Sequence, residues 1–422
     1  MHDEMNNSIH IKGGRLIDPK NGIDTESDLF IAKGRVVAVG EKPNDFQAAR
    51  TIDASGKVVC PGLVDLSTRL AGVESELLAA VAGGVTSVAC PPDTKPPLDE
   101  PGLVERLIRR SEAIGLARVF PIGALTQQLA GEKLSEMISL TRAGCISFSQ
   151  AKKPVFDTQV LLRAMQYAAT FDYAIRLQPQ DHYLARDGVA HDGEVASRLG
   201  LTGIPVSAET VAIATALQLT KATGVRLHLA RLSSAAGVDM VREAKQNGLK
   251  VSCDVAIHHL HLTDADIGYF DSRMRMDPPL RTLSDRDALR AAVAEGVASV
   301  CSDHSPVDED GKQLPFAESV PGAVGLELLL PLTLKLAAED HLPLITALAR
   351  VTCDPAAIMG VEAGSVAVGS IADVCVFDPT SSWMVTPESL RSQGKNTPFL
   401  GAEMTGRVCT TLVGGRVVYQ TS

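Results

Sequence analysis

Eight short apolar runs, separated by helix-like stretches through the middle of the chain, constrain the fold more than any other feature. They are Gly62–Asp65, Thr86–Cys90, Arg118–Ile122, Cys145–Phe148, Ala174–Gln178, Arg226–Ala230, Lys250–Asp254 and Val297–Ser302. Each is short and rich in aliphatic side chains, as a strand covered on both faces must be. Between them Glu74–Ala82, Leu103–Ile114, Ala208–Ala222, Val238–Gln246 and Ser284–Ala294 carry helical spacing. Strands alternating with helices over about 300 residues predict an α/β fold, a (β/α)8 TIM barrel. A doubly wound open sheet is the competing reading. No Gly-rich phosphate loop opens a strand–helix junction, which weakens it.

The two ends have a different texture. Ile9-His10-Ile11-Lys12 before Gly13-Gly14, and Leu29-Phe30-Ile31 before Lys33-Gly34, read as short hairpin strands. Near the other end, Ile371–Phe377 reads as a strand, and Arg407–Val413 and Arg416–Tyr419 flank Gly414-Gly415 as a hairpin. Residues 1–58 plus 365–422 are therefore expected to form one small composite β-sandwich domain around a barrel of residues 59–364, since chain termini often lie close together.

A chain of 422 residues with 45% apolar and 21% charged side chains can bury a large core. A formal net charge of −10 argues against broad nucleic-acid binding, which needs a basic surface to displace counterions. The eight cysteines are scattered without a C-x-x-C pair, as free thiols of a reducing compartment would be. Met1-His2-Asp3-Glu4 lacks the basic and apolar regions of a secretory signal. The most apolar long stretch, Leu326–Ala338, is interrupted by Pro331 and Lys335 and is too short to cross a bilayer. A cytoplasmic protein without membrane contact is the expectation.

A barrel keeps its chemistry at the carboxyl ends of its strands. Strand one ends in Asp65-Leu66-Ser67-Thr68-Arg69, strand two in Pro91-Pro92-Asp93-Thr94 and strand four in Ser149-Gln150-Ala151-Lys152. Strand five ends in Gln178-Pro179-Gln180-Asp181, strand six in Ala230-Arg231 and strand eight in Ser302-Asp303-His304-Ser305-Pro306. A hydrolytic zinc site needs about three converging His, Asp or Glu ligands. Of ten histidines, only His259-Leu260-His261 shows ligand spacing near a strand end, and it runs into the helix start Thr263-Asp264-Ala265-Asp266, which favours packing. His228, inside strand six, reads as a core histidine. Asp303-His304 has a catalytic look, either as a base dyad or as a carboxylate neutralised by an arginine. No G-x-S-x-G elbow is present, and no cysteine stands beside an evident base.

Taken in order, the strand-end motifs resemble dihydroorotase of the cyclic amidohydrolase family. The resemblance spans nearly the whole chain. Ala54-Ser55-Gly56-Lys57-Val58-Val59-Cys60-Pro61-Gly62-Leu63-Val64-Asp65 resembles the family's approach to strand one, and Pro92-Asp93-Thr94-Lys95-Pro96 its P-N-T-x-P. Gly203-Ile204-Pro205 with Ala208-Glu209 resembles its G-I-P and A-E, and Pro278-Pro279-Leu280-Arg281 its P-P-L-R. Ser302–Pro306 resembles its D-H-A-P, and Gly369–Asp373 its G-x-x-A-D.

The resemblance also implies a zinc site: H-x-H after strand one, a bridging residue at strand four, histidines at strands five and six, and an aspartate at strand eight. Those positions hold Ser67 and Arg69, the region of Gln150, Gln178 and Arg231. Asp303 and His304 remain. The substrate-holding arginine is Ala71, and the P-N-T asparagine is Asp93. The departures imply no metal, no cofactor and no enzyme activity, with Arg69, Arg231 or both paired to Asp303. In some bacteria an inactive dihydroorotase-like chain associates with aspartate carbamoyltransferase. The resemblance thus implies a non-catalytic subunit supporting assembly of that enzyme's catalytic chain in pyrimidine synthesis, and a homo-oligomer. Two alternatives stand: a metal-poor cyclic amidohydrolase with a remodelled site around Asp65, Asp93, Asp181, Asp303 and His304, and an anion-binding regulatory module built on Arg69, Arg231 and Lys152.

Overall fold

A computed structural model describes residues 8–421; the Met1-His2-Asp3-Glu4 reading lies outside the described residues. Each of the eight apolar runs overlaps a strand. They form one all-parallel sheet in sequence order: Leu63–Asp65, Val85–Cys90, Arg118–Ala124, Ser147–Ser149, Ala174–Leu177, Arg226–Leu229, Val251–Ala256 and Ser299–Cys301, barrel strands one to eight. The sheet curls until its edges meet, and a parallel bridge from Thr68 to His304 joins strand one to strand eight. Asp65 reinforces that seam. Its carboxylate accepts hydrogen bonds from the Ser302 N–H at 2.6 Å and the Ser302 hydroxyl at 2.7 Å.

The helices lie where helical spacing places them, at Val73–Ala82, Pro101–Ile114, Val206–Thr223, Ala235–Gln246 and Leu283–Ala294 among others. Local chemistry sets their ends. Thr282 and Asp285 form a reciprocal capping box that satisfies backbone donors at the start of Leu283–Ala294. No helix among the described residues is long and apolar enough to cross a membrane.

The β-rich ends hydrogen-bond into a second sheet of eight strands. Val58–Pro61 pairs with Ile9–Asp18 on one side and Val374–Met384 on the other, with Cys60 opposite Cys375. Ile11, Leu16, Ile31, Val59, Val374 and Leu412 pack there in a cluster separate from the main barrel core.

Gly83 shows how closely barrel and loops are fitted. It ends the helix Val73–Ala82, and a Cβ there would stand 2.3 Å from the Leu326 carbonyl oxygen and 2.9 Å from the Glu327 Cα. Backbone on both sides cannot yield as a side chain can. Gly83→Ala is expected to destabilise the protein by about 1–3 kcal/mol, read from urea unfolding midpoints. An unchanged midpoint would show that the loop at Leu326 gives way freely.

Candidate functional site

Eight side chains at the carboxyl ends of the strands form one connected polar network. Arg231, after strand six, donates from Nη1 to Asp303 Oδ1 at 2.8 Å and to Ser67 Oγ at 3.1 Å. Its Nη2 donates to Gln178 Oε1. Arg69, after strand one, donates from Nη1 to the same Asp303 oxygen at 3.3 Å and from Nε to Asp93 Oδ2 at 2.9 Å. Ser67 Oγ donates to Asp303 Oδ1 at 3.2 Å. On the far side, Gln178 Nε2 donates to Asp277 Oδ1 at 3.2 Å, and Lys152 Nζ lies 3.3 Å from Asp277 Oδ2. Three cations (Arg69, Arg231, Lys152) thus meet three carboxylates (Asp93, Asp277, Asp303), and the formal charges cancel. Both arginines reach Asp303.

Burial makes each partner depend on the others. Removal from water alone would raise the Asp303 carboxyl, but Arg231, then Arg69 and Lys152, outweigh it and hold the group well below the usual carboxylate range. Asp93 and Asp277 are likewise lowered against burial, chiefly by Arg69 and by Lys152 respectively. Burial lowers Lys152, with Asp277 opposing it. The backbone takes part as well. Asp303, Arg231 and Ala151 hold left-handed φ angles of 43°, 57° and 52°, conformations that non-glycine residues adopt at a cost and that gather at functional sites.

Other expected residues stand apart. Asp303 and His304 are not a base dyad. His304 Nε2 lies 2.7 Å from Glu76 Oε2, and its Nδ1 accepts from the Gly325 N–H at 3.2 Å. The ring is fully buried and turned to the loop after strand eight. Gln150 is buried, and its Oε1 accepts from the Thr126 hydroxyl at 2.9 Å, while Ala71 is exposed. His228 is a satisfied core histidine, 2.7 Å from Asp254 Oδ2. His258 and His259 lie in a 3-10 turn, Ile257–Leu260, after strand seven. Sequence reasoning missed Asp277. Its signal was its place immediately before Pro278-Pro279-Leu280-Arg281.

The zinc implied by the family does not fit these residues. Guanidinium groups have no lone pair to offer a metal. The remaining carboxylate, Asp303, already carries two of them on one oxygen. A divalent ion about 4 Å from Arg231 would meet a repulsion of about 8 kcal/mol at an effective dielectric of about 20. Among the described residues no three His, Cys, Asp or Glu side chains gather as a metal site.

An all-parallel barrel whose polar groups converge at the strand ends defines a (β/α)8 barrel protein with its site at the carboxyl ends of the strands. The comparisons narrow this. Residues 56–236 match the dihydro-orotase-like family, and residues 193–419 match the amidohydrolase family. The chain is 45% identical over 422 residues to the dihydroorotase-like protein of Pseudomonas aeruginosa, covering 98% of this chain and 100% of that one. It is 39% identical over 421 residues to a chain of Trichlorobacter lovleyi named dihydroorotase, covering 98% and 99%. It superposes on the L-hydantoinase (dihydropyrimidinase) of Arthrobacter aurescens with a TM-score of 0.86 at 25% identity, covering 98% and 96%. This chain belongs to the dihydroorotase-like family of amidohydrolases.

These relatives correct the expectation that the chain is not an enzyme. A relative 39% identical along its length is named dihydroorotase, and the structural neighbour is a hydantoinase. The physical reason is that substitution of metal ligands removes one means of polarising a carbonyl, whereas oriented guanidinium donors are another. Arg69 Nη2 and Arg231 Nε are buried without partners.

Proposed function

We propose that the chain serves pyrimidine synthesis as a dihydroorotase-like subunit that supports assembly of aspartate carbamoyltransferase, itself as a homo-oligomer bound to that enzyme's catalytic chain. The observation that carries the reading is the network at the barrel mouth. Where the family's resemblance implies metal ligands, arginine–carboxylate pairs link the loops after strands one, two, six and eight, giving a rigid body suited to holding a partner. The partner itself rests on the resemblance.

The test is co-expression with the aspartate carbamoyltransferase catalytic chain, followed by size-exclusion chromatography. Co-elution in fixed stoichiometry, with transferase activity higher than for the catalytic chain alone, is the expected result. Separate elution of the two chains at micromolar concentration would overturn it.

A second reading is favoured by the relatives named dihydroorotase: hydrolysis of a cyclic amide in a remodelled site. The unpartnered guanidinium nitrogens of Arg69 and Arg231 would then face the developing oxyanion. Dihydroorotate ring opening by the purified chain measures it directly. Loss of that activity in Arg231→Met would assign it to the network, and unchanged activity would place it elsewhere.

A further inference from the structure

Two adjoining cavities of about 190 and 340 Å³ open on the sheet built from the chain ends, the smaller one against Pro331 of the helix Leu329–Glu339. None of their lining residues belongs to the network at the barrel mouth. Arg391, Arg407 and Tyr419 line both.

Both arginines stand on fixed backbone. The Arg391 N–H donates to Glu327 Oε1 at 2.7 Å and the Ser392 N–H to Glu327 Oε2 at 3.1 Å. The Ser392 hydroxyl and the Gln393 N–H donate to the Glu76 carboxylate at 2.6 and 3.2 Å. These bonds tie the loop that carries Arg391 to the barrel. Arg407 lies in the strand Glu403–Val413, directly opposite Asp378. That carboxylate would be its natural counter-charge. Asp378 Oδ1 instead accepts from its own turn, from the Thr380 N–H and hydroxyl, each at 2.8 Å, and the Ser381 N–H at 3.1 Å. Among the described residues neither guanidinium forms an ion pair, and both arginines are exposed. Around the larger cavity two cations thus face one carboxylate that is engaged elsewhere. Glu327 and Glu388 line only the smaller cavity, so an anion belongs in the larger one. Guanidinium groups take phosphate oxygens two at a time, and a fixed backbone lowers the ordering cost of doing so.

The smaller cavity supplies an aromatic neighbour. Trp383 lines it beside Tyr419, and Trp383 Nε1 donates to the Gly406 carbonyl at 3.1 Å, which fixes the indole. Because Tyr419 reaches both cavities, a ring in the smaller one and an anion in the larger one can belong to one small molecule.

We propose that this surface binds an aromatic phosphomonoester, its phosphoryl dianion between Arg391 and Arg407 and its ring against Trp383 and Tyr419. The site is separate from the assembly reading and does not depend on it.

The test is calorimetric titration of the full chain with phenyl phosphate, inorganic phosphate and benzoate, at about pH 7.5, where a phosphomonoester carries close to two charges. Phenyl phosphate is expected to bind more tightly than inorganic phosphate, which lacks the ring, and than benzoate, which lacks the second charge. Arg391→Gln and Arg407→Gln are each expected to weaken its binding by about tenfold. Both positions are exposed, so neither change disturbs the core. The proposal is overturned if phenyl phosphate does not bind, if inorganic phosphate or benzoate binds as tightly, or if either variant leaves the affinity unchanged.

Discussion

Asp303→Ala is expected to destabilise the protein by about 3–5 kcal/mol, because it leaves a buried guanidinium without its counter-charge. The side chains of Arg231 and Asp303 are only 4% and 7% exposed, so little water can replace the lost carboxylate. Arg69 retains Asp93, so Arg231 carries most of the loss. A double change, Asp303→Leu with Arg231→Met, is expected to recover most of the stability, since removing both charges of a buried pair is often neutral. Acid acts in the same sense as Asp303→Ala. The Asp303 carboxyl is depressed in the folded protein, so its contribution is present above the ordinary carboxylate pKa of about 4 and is lost as pH falls below it. Urea midpoints for the parent and both variants at neutral pH decide the matter. A single variant within about 0.5 kcal/mol of the parent would sink the idea that the network holds the barrel mouth together.

Much of the barrel was legible because a parallel strand covered on both faces must be a nearly continuous apolar run. The ends of the runs were less so, because pairing partners set them. Strand four was expected to begin at Cys145. The Cys145 N–H instead turns back to the Leu140 carbonyl at 3.0 Å and closes the preceding helix. Strand seven continues past Asp254 to Ala256 because Asp254, Val255 and Ala256 pair with Ser299–Cys301. In the site, Arg69 and Arg231 were legible as replacements within recognisable motifs and Asp303 as the aspartate that remains, and their pairing followed from charge. Asp277 was not, because the chain after strand seven winds through three 3-10 turns before returning to the mouth. The place of His304 was not legible for a related reason. Its partner Glu76 lies 228 residues away on the helix Val73–Ala82, and adjacency to Asp303 in sequence says nothing of where the ring turns.

Acidification from pH 7 to pH 5 is expected to weaken the fold well before any ordinary carboxylate titrates. Burial pushes His258 and His259 down to about 4 and His261 down to about 3. The hydrogen bonds agree. His259 Nε2 faces the Pro278 and Pro279 carbonyls and His261 Nε2 faces the Leu332 carbonyl at 2.9 Å, so each Nε2 carries the proton. Each Nδ1 has no partner, and protonating it would bury an unpaired N–H. Above pH 6.5, the ordinary histidine value, both folded and unfolded chains hold these rings neutral and they contribute nothing. Below it the unfolded chain takes up protons that the folded chain refuses, so stability falls as pH drops toward about 4. Three such groups give a slope approaching about 4 kcal/mol per pH unit near pH 5. His191 and His228, lowered first by burial, act in the same direction. Asp65, Glu327 and Asp373 act against it, since burial raises them and the folded chain takes up their protons first. Replacing one histidine separates the two sets. His261→Gln is expected to flatten the profile between pH 7 and pH 5 by about 1.4 kcal/mol per unit at its steepest, whatever the carboxylates do. The measurement is the urea midpoint of parent and variant at half-unit steps. Parallel profiles would show that His261 is free to take a proton where it lies, and the buried turn after strand seven would then be open to water.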